Sequence, residues 1–118
     1  MLLRLNGFFT DYTPVPSLLH GDLWAGNFSA DLAGKAVAFD PATYFGDRET
    51  DLAMTELFGG FDHAFYEAYS SLWALDAGYR NRKTLYNLYH VLNNFNLFGG
   101  GYGTQARSMI QQLLACLG

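Results

Sequence analysis

The chain has 118 residues and a formal net charge of −4, from 11 acidic against 7 basic side chains; that is room for one domain, without the basic stripe of a nucleic-acid binder. Half of it is apolar and 17% aromatic, which supplies a core and excludes global disorder. No run approaches the roughly 20 apolar residues that cross a bilayer, and the lone Cys116 excludes a disulfide framework or a multi-cysteine zinc site.

In chain order, residues 1–9 read as the tail of an apolar helix that enters without an N-cap of its own, and residues 1–6 lack the apolar run of a signal peptide. A soluble, cytoplasmic protein with no membrane partner is expected. Pro14 and Pro16 then forbid helix. Leu18-Leu19 reads as a short buried strand leading into His20-Gly21-Asp22. Phe28-Ser29-Ala30 and Ala36-Val37-Ala38-Phe39 read as two strands of a β-hairpin, with turn chemistry across residues 31–35.

After Asp40 the pattern turns helical. Asp51 is expected to cap a helix with Leu52, Ala53, Leu57 and Phe58 on its apolar side, ending at Gly59-Gly60. Asp62 is expected to cap a second, carrying Phe65, Tyr66, Tyr69, Leu72 and Trp73. The longest helix is predicted over residues 81–97, broken by the glycines at 99–101, and Thr104 is expected to cap a last helix. The fold class is therefore α+β and mostly helical, a short hairpin followed by about four helices. Twenty aromatic side chains are a heavy load for so small a core. Some are expected to face a cleft, a partner or a further part of the protein.

The chemistry gathers in His20-Gly21-Asp22-Leu23-Trp24-Ala25-Gly26-Asn27 and Phe39-Asp40-Pro41. Phosphoryl transfer from a nucleotide needs a carboxylate to orient a hydroxyl and take its proton. It also needs an amide oxygen and a second carboxylate to hold Mg²⁺ against the phosphates. The kinase signature supplies them as His-x-Asp, four residues, Asn, and a later Asp after a strand. Asp22 and Asn27 have that spacing, and the hairpin returns Asp40 to the same end of the sheet. Singly, an Asp or Asn before a loop is ordinarily a turn or cap residue. In order and strand-flanked, the three outweigh that reading. His20 is read as tying the loop backbone together. Trp24 is as well suited to a core position as to the substrate side of a cleft.

The string from Leu18 to Asn27 resembles the catalytic loop of the fructosamine (ketosamine) kinase family, relatives of aminoglycoside phosphotransferases and choline kinases. The likeness continues through Phe39-Asp40-Pro41-Ala42, Tyr44-Phe45-Gly46-Asp47-Arg48-Glu49, Asp51-Leu52-Ala53-Met54 and Gly59-Gly60-Phe61. It reaches Asn96-Leu97-Phe98-Gly99-Gly100-Gly101-Tyr102, and so covers most of the chain from Pro16 to about Ala106. Ala25, His63 and Ala77 depart from the commoner family residues without touching the chemistry.

The resemblance implies a protein-kinase-like fold and ATP-dependent phosphorylation of the sugar 3-hydroxyl of ketosamines, free or attached to protein amines. By position, Asp22 would be the base and Asn27 and Asp40 the Mg²⁺ ligands. Asp51 would support the catalytic loop, with His20. ATP and Mg²⁺ are the implied co-substrate and cofactor.

A kinase also carries a glycine-rich loop and a strand-borne lysine, both ahead of the catalytic loop. The nineteen residues before His20 contain neither lysine nor glutamate and one glycine. The glycines at 99–103 follow a helix and lack a glycine at 104, so they suit a helix end. The expectation is that residues 1–118 are one domain, the C-terminal catalytic lobe, with the nucleotide-binding lobe absent and the isolated chain inactive. Homo-oligomers are expected through apolar surface left uncovered. Two alternatives stand beside this: a non-catalytic, self-associating kinase fragment, or a phosphotransferase for an aminoglycoside, choline or another small alcohol. The aromatic later helices favour the ketosamine family over that last reading.

Overall fold

A computed structural model describes residues 2–57 and 60–117 of the chain. The chain divides into two compact units, Pro14–Asp76 and Met1–Thr13 with Ala77–Gly118.

In the first of these, Pro14 and Pro16 hold the backbone extended and β1 forms over Pro16–Leu19. It pairs antiparallel with β4, Tyr44–Asp47, in the register Pro16↔Asp47 to Leu19↔Tyr44. The sequence reading had no strand at β4, because its partner lies more than twenty residues back and a four-residue run carries little pattern of its own. Side chains alternate across the ribbon. Leu19 is buried while its neighbour Leu18 is 67% exposed, so only half of the expected buried pair enters the core.

Between these strands, β2 (Phe28–Ala30) and β3 (Ala36–Ala38) form the expected hairpin. The Asp31 carboxylate accepts from the N–H groups of Ala33 and Lys35 and fixes its turn.

Helix α1 runs over Arg48–Leu57, four residues earlier than a cap at Asp51 would start it. Asp47 is the cap: its Oδ1 accepts from the Glu49 N–H at 3.0 Å. Asp51 therefore lies inside the first turns of the helix, with its carboxylate free for another task. Leu52, Ala53 and Met54 form the buried core of this unit with Leu19. Phe58 and the helix end expected at Gly59 lie outside the described residues. Helix α2, His63–Leu72, follows Asp62, whose backbone oxygen, and not its carboxylate, accepts from Phe65 N–H.

The other unit is built on an apolar helical pair. Helix α3 (Tyr79–Phe98) packs on α4 (Gly101–Leu117), with Leu88 and Val91 of the one and Ala106 and Leu113 of the other buried. The two residues between them, Gly99 and Gly100, have φ of +66° and +64°, a conformation that a β-carbon disfavours. That tight reversal starts α4 at Gly101, so Thr104 falls within its first turn and does not cap it. Residues Leu2–Phe9 form a 3₁₀ helix instead of the expected helix tail. Contacts within the unit hold it: Arg4 donates to Leu117 O, Arg82 donates to Phe8 O, and Phe9 meets Tyr86 edge to face.

Among the described residues, no helix is long and apolar enough to cross a membrane. Several large apolar side chains are exposed, Phe45, Leu72, Tyr89 and Phe98 among them.

Candidate active site

The loop between β1 and β2 is held by side chains that bond to backbone. Gly21 has φ of +87°, and a β-carbon there would lie 2.0 Å from the carbonyl oxygen of Ala42. Only glycine lets the loop pass so close to the segment after Asp40. The Ala42 N–H donates to His20 O at 2.8 Å on the same seam.

Asp51 reaches this loop from α1. Its two carboxylate oxygens accept from the backbone N–H groups of His20 and Gly21, at 2.8 and 2.9 Å. Charge-assisted bonds of this kind are short and about twice as strong as neutral ones. The His20 ring works from the other side. Its Nδ1 accepts from the Asp22 N–H at 3.2 Å, which leaves the proton on Nε2, and Nε2 lies 2.8 Å from the Phe39 carbonyl oxygen. His20 thus ties the residue that bears one carboxylate to the residue preceding the other.

Asp22 and Asn27 are in direct contact. The Asn27 amide nitrogen donates to Asp22 Oδ2 and to the Asp22 backbone oxygen, each at 3.0 Å. Asn27 is buried at 7% exposure. Asp40 follows on the same run of backbone bonds: the Phe39 N–H donates to Asn27 O at 3.0 Å. Asp40 is the one non-glycine residue with positive φ among those described, at +51°. Its carboxylate is exposed and makes no hydrogen bond to a described residue. Trp24 is 38% exposed, its indole folded over Gly26.

The oxygen set suits a hard divalent cation. The Asn27 nitrogen is committed to Asp22, so its Oδ1 is left available, and Asp40 adds an unbonded carboxylate. No group of three or more His, Cys, Asp or Glu side chains with metal-binding geometry occurs among the described residues. A cation here would therefore keep waters or phosphate oxygens as its remaining ligands, as Mg²⁺ does.

Three residues of this region went unread in the sequence. Asp47 caps α1 and so frees Asp51. Arg48 lies buried behind the loop, stacked on Trp73 with its guanidinium carbon 3.8 Å from the ring centroid. The Tyr66 hydroxyl lies 3.0 Å from Thr55 Oγ1 and accepts from Phe61 N–H, and Phe61 packs on Phe28 at 4.9 Å. Only Asp47 left a signal, an acid directly before Arg-Glu-Thr. The others depend on long-range packing.

Comparison with known proteins bears on the same residues. The family model described as "Fructosamine kinase" matches residues 1–116. A protein of Synechocystis sp. named "Probable ketoamine kinase" is 60% identical over 111 residues, covering 94% of this chain and 38% of its own length. The "Ketosamine-3-kinase" of Mus musculus is 42% identical over 111 residues, covering 94% of this chain and 36% of its own. The crystal structure of a "Putative fructosamine-3-kinase" from Haemophilus somnus superposes with a TM-score of 0.84 at 34% identity, over 96% of this chain and 39% of that one. The chain thus spans somewhat over a third of the length of the relatives it matches, and over that span it belongs to the fructosamine kinase family.

Proposed function

We propose that these 118 residues form the catalytic-lobe portion of an ATP-dependent ketosamine 3-kinase, which phosphorylates a sugar hydroxyl of glycated amines in the cytoplasm. The observation that carries the reading is the Asp22–Asn27 contact, in a loop whose backbone Asp51 and His20 hold from two sides.

Asp22 accepts the proton of the attacking 3-hydroxyl. Its Oδ2 is held by Asn27, which fixes the carboxylate plane and leaves the second oxygen for the substrate. The hydroxyl oxygen bonds to the γ-phosphorus as the bond to ADP breaks, and the proton ends on Asp22. Asn27 Oδ1 and Asp40 would hold Mg²⁺, which when bound neutralises charge on the phosphate oxygens. Trp24, 38% exposed, would line the substrate side of the cleft on this reading. The ketosamine, free or protein-linked, and ATP are the partners on this reading.

Residues 1–118 contain no glycine-rich loop followed by a strand lysine, so the chain alone is proposed to bind ATP weakly and to turn over negligibly. Its exposed Phe45, Tyr89 and Phe98 favour self-association of the isolated chain. The test joins these residues to the part of the Synechocystis relative that they do not match and assays Mg·ATP-dependent phosphorylation of a fructosamine. Activity in the joined protein, with little in the chain alone, supports the reading. Inactivity of a folded, ATP-binding joined protein refutes it. Light scattering on the isolated chain reads the association, and a strict monomer refutes that part.

A further inference from the structure

Behind the loop, within the unit Pro14–Asp76, lies a cavity of about 290 Å³. Arg48, Asp51, Tyr69, Trp73, Leu18 and Leu23 are among its walls, and the rest are mainly aliphatic or aromatic.

Arg48 is unusual among these. It is 9% exposed, and no carboxylate of a described residue forms an ion pair with it. Its Nη1 donates to Trp73 O at 3.0 Å and its Nη2 to Ala74 O at 2.8 Å, at the carbonyl-rich end of α2. The guanidinium also faces the Trp73 and Tyr69 rings, at 3.8 and 5.4 Å. Carbonyl dipoles and π-faces offset part of the cost of burying a cation. They do not neutralise it. A guanidinium offers five N–H donors, and two are accounted for by the carbonyls.

Asp51 limits what else can enter. Both of its oxygens are engaged by the His20 and Gly21 N–H groups, so its negative charge is fixed in the cavity wall. A dianion would meet it. A single carboxylate can face Arg48 while a compact apolar body fills the space among the leucines and Phe65. The volume, at the small end for ligand cavities, fits a ligand of benzoate size.

We propose that this cavity is a binding site for a small monocarboxylate, held by Arg48 and seated between Trp73 and Leu18. It stands independently of the phosphoryl-transfer reading.

The 118-residue chain carries two tryptophans, and Trp24→Phe leaves Trp73 as the one indole reporter. Benzoate is titrated into this protein while the Trp73 indole N–H is followed by NMR. Expected is a saturable shift, with benzamide at least about tenfold weaker, since charge-assisted bonds exceed neutral ones in strength. Inorganic phosphate should not compete.

Arg48→Met should abolish the shift. Should that variant fail to fold, Leu18 decides, because it is exposed at the wall and tolerates a charge. Leu18→Asp should weaken benzoate binding and Leu18→Lys should tighten it. The proposal is overturned by the absence of a saturable shift, by equal affinity for benzamide, by competition from phosphate, or by the same affinity in both Leu18 variants.

Discussion

The two units of the chain are held together by different means. In Pro14–Asp76, the structure around the loop is a set of directed bonds: Asp51 to two backbone N–H groups, His20 to two more backbone atoms, Asn27 to Asp22, Asp47 to its helix. In the unit built on α3 and α4, the buried set is chiefly apolar, with Val91 and Leu113 fully enclosed. Hydrogen bonds have direction and a preferred length, so they can fix a carboxylate to fractions of an ångström. Apolar packing has no such direction and supplies free energy in proportion to the area removed from water. Substitutions in the first unit should therefore change chemistry more than stability, and substitutions in the second the reverse.

The largest effect expected is at Asp22. In the joined protein, Asp22→Asn keeps the shape and the loop bonds but removes the proton acceptor. Turnover should fall by roughly 10²–10⁴-fold, the usual contribution of a general base. The urea midpoint should barely move. Steady-state kinetics and urea melts on the same preparation read both. Near-normal turnover would remove Asp22 from the mechanism.

The opposite pole is Leu113→Ala in α4. Leu113 is fully buried, and truncation of such a leucine costs about 2–5 kcal/mol. The urea midpoint of the 118-residue chain should drop without a change in slope. Because Asp22 and Asn27 are untouched, the folded fraction of the joined variant should keep its turnover. A loss of turnover per folded molecule would show that the contrast between the units is drawn too sharply.

Asp51→Ala lies between these poles and sharpens the comparison. It leaves the N–H groups of His20 and Gly21 without their acceptor, and an unsatisfied part-buried donor costs about 1–3 kcal/mol. Stability and turnover should fall together, unlike either variant above. If turnover alone fell, Asp51 would be acting on the substrate and not on the loop.

The same contrast explains what could be read from the sequence. The β2–β3 hairpin, the four α-helices and the glycine break at 99–100 were legible because each is written in neighbouring residues. So was the Asp22–Asn27 pair, whose spacing is local. The pairing of β1 with β4 was not, since a four-residue strand becomes visible only through a partner far along the chain. The caps were misread where two acids competed: Asp47 and Asp51 both suit the start of α1, and propensity does not rank them. The long-range bonds of Asp51 settle the matter, because a carboxylate pointing at His20 cannot also close the helix. Arg48 left no signal at all, for a buried arginine stacked on Trp73 looks in sequence like any surface cation.

The smallest effect expected follows from that competition. Asp47→Ala removes the acceptor of the Glu49 N–H and should destabilise α1 by about 0.5–2 kcal/mol, the range for loss of an N-cap. Thr50 Oγ1 still donates to the Asp47 backbone oxygen, which the substitution leaves in place, so the helix start should persist. Asp47→Asn keeps a capping oxygen and should recover most of the loss. Because Asp51 sits one turn further on, turnover of the joined protein should change less than in Asp51→Ala. Urea melts of the alanine and asparagine variants, beside kinetics, separate the two aspartates. If Asp47→Ala matched Asp51→Ala in turnover, the start of α1 and the loop would be one mechanical piece, and the helix cap would belong to the site.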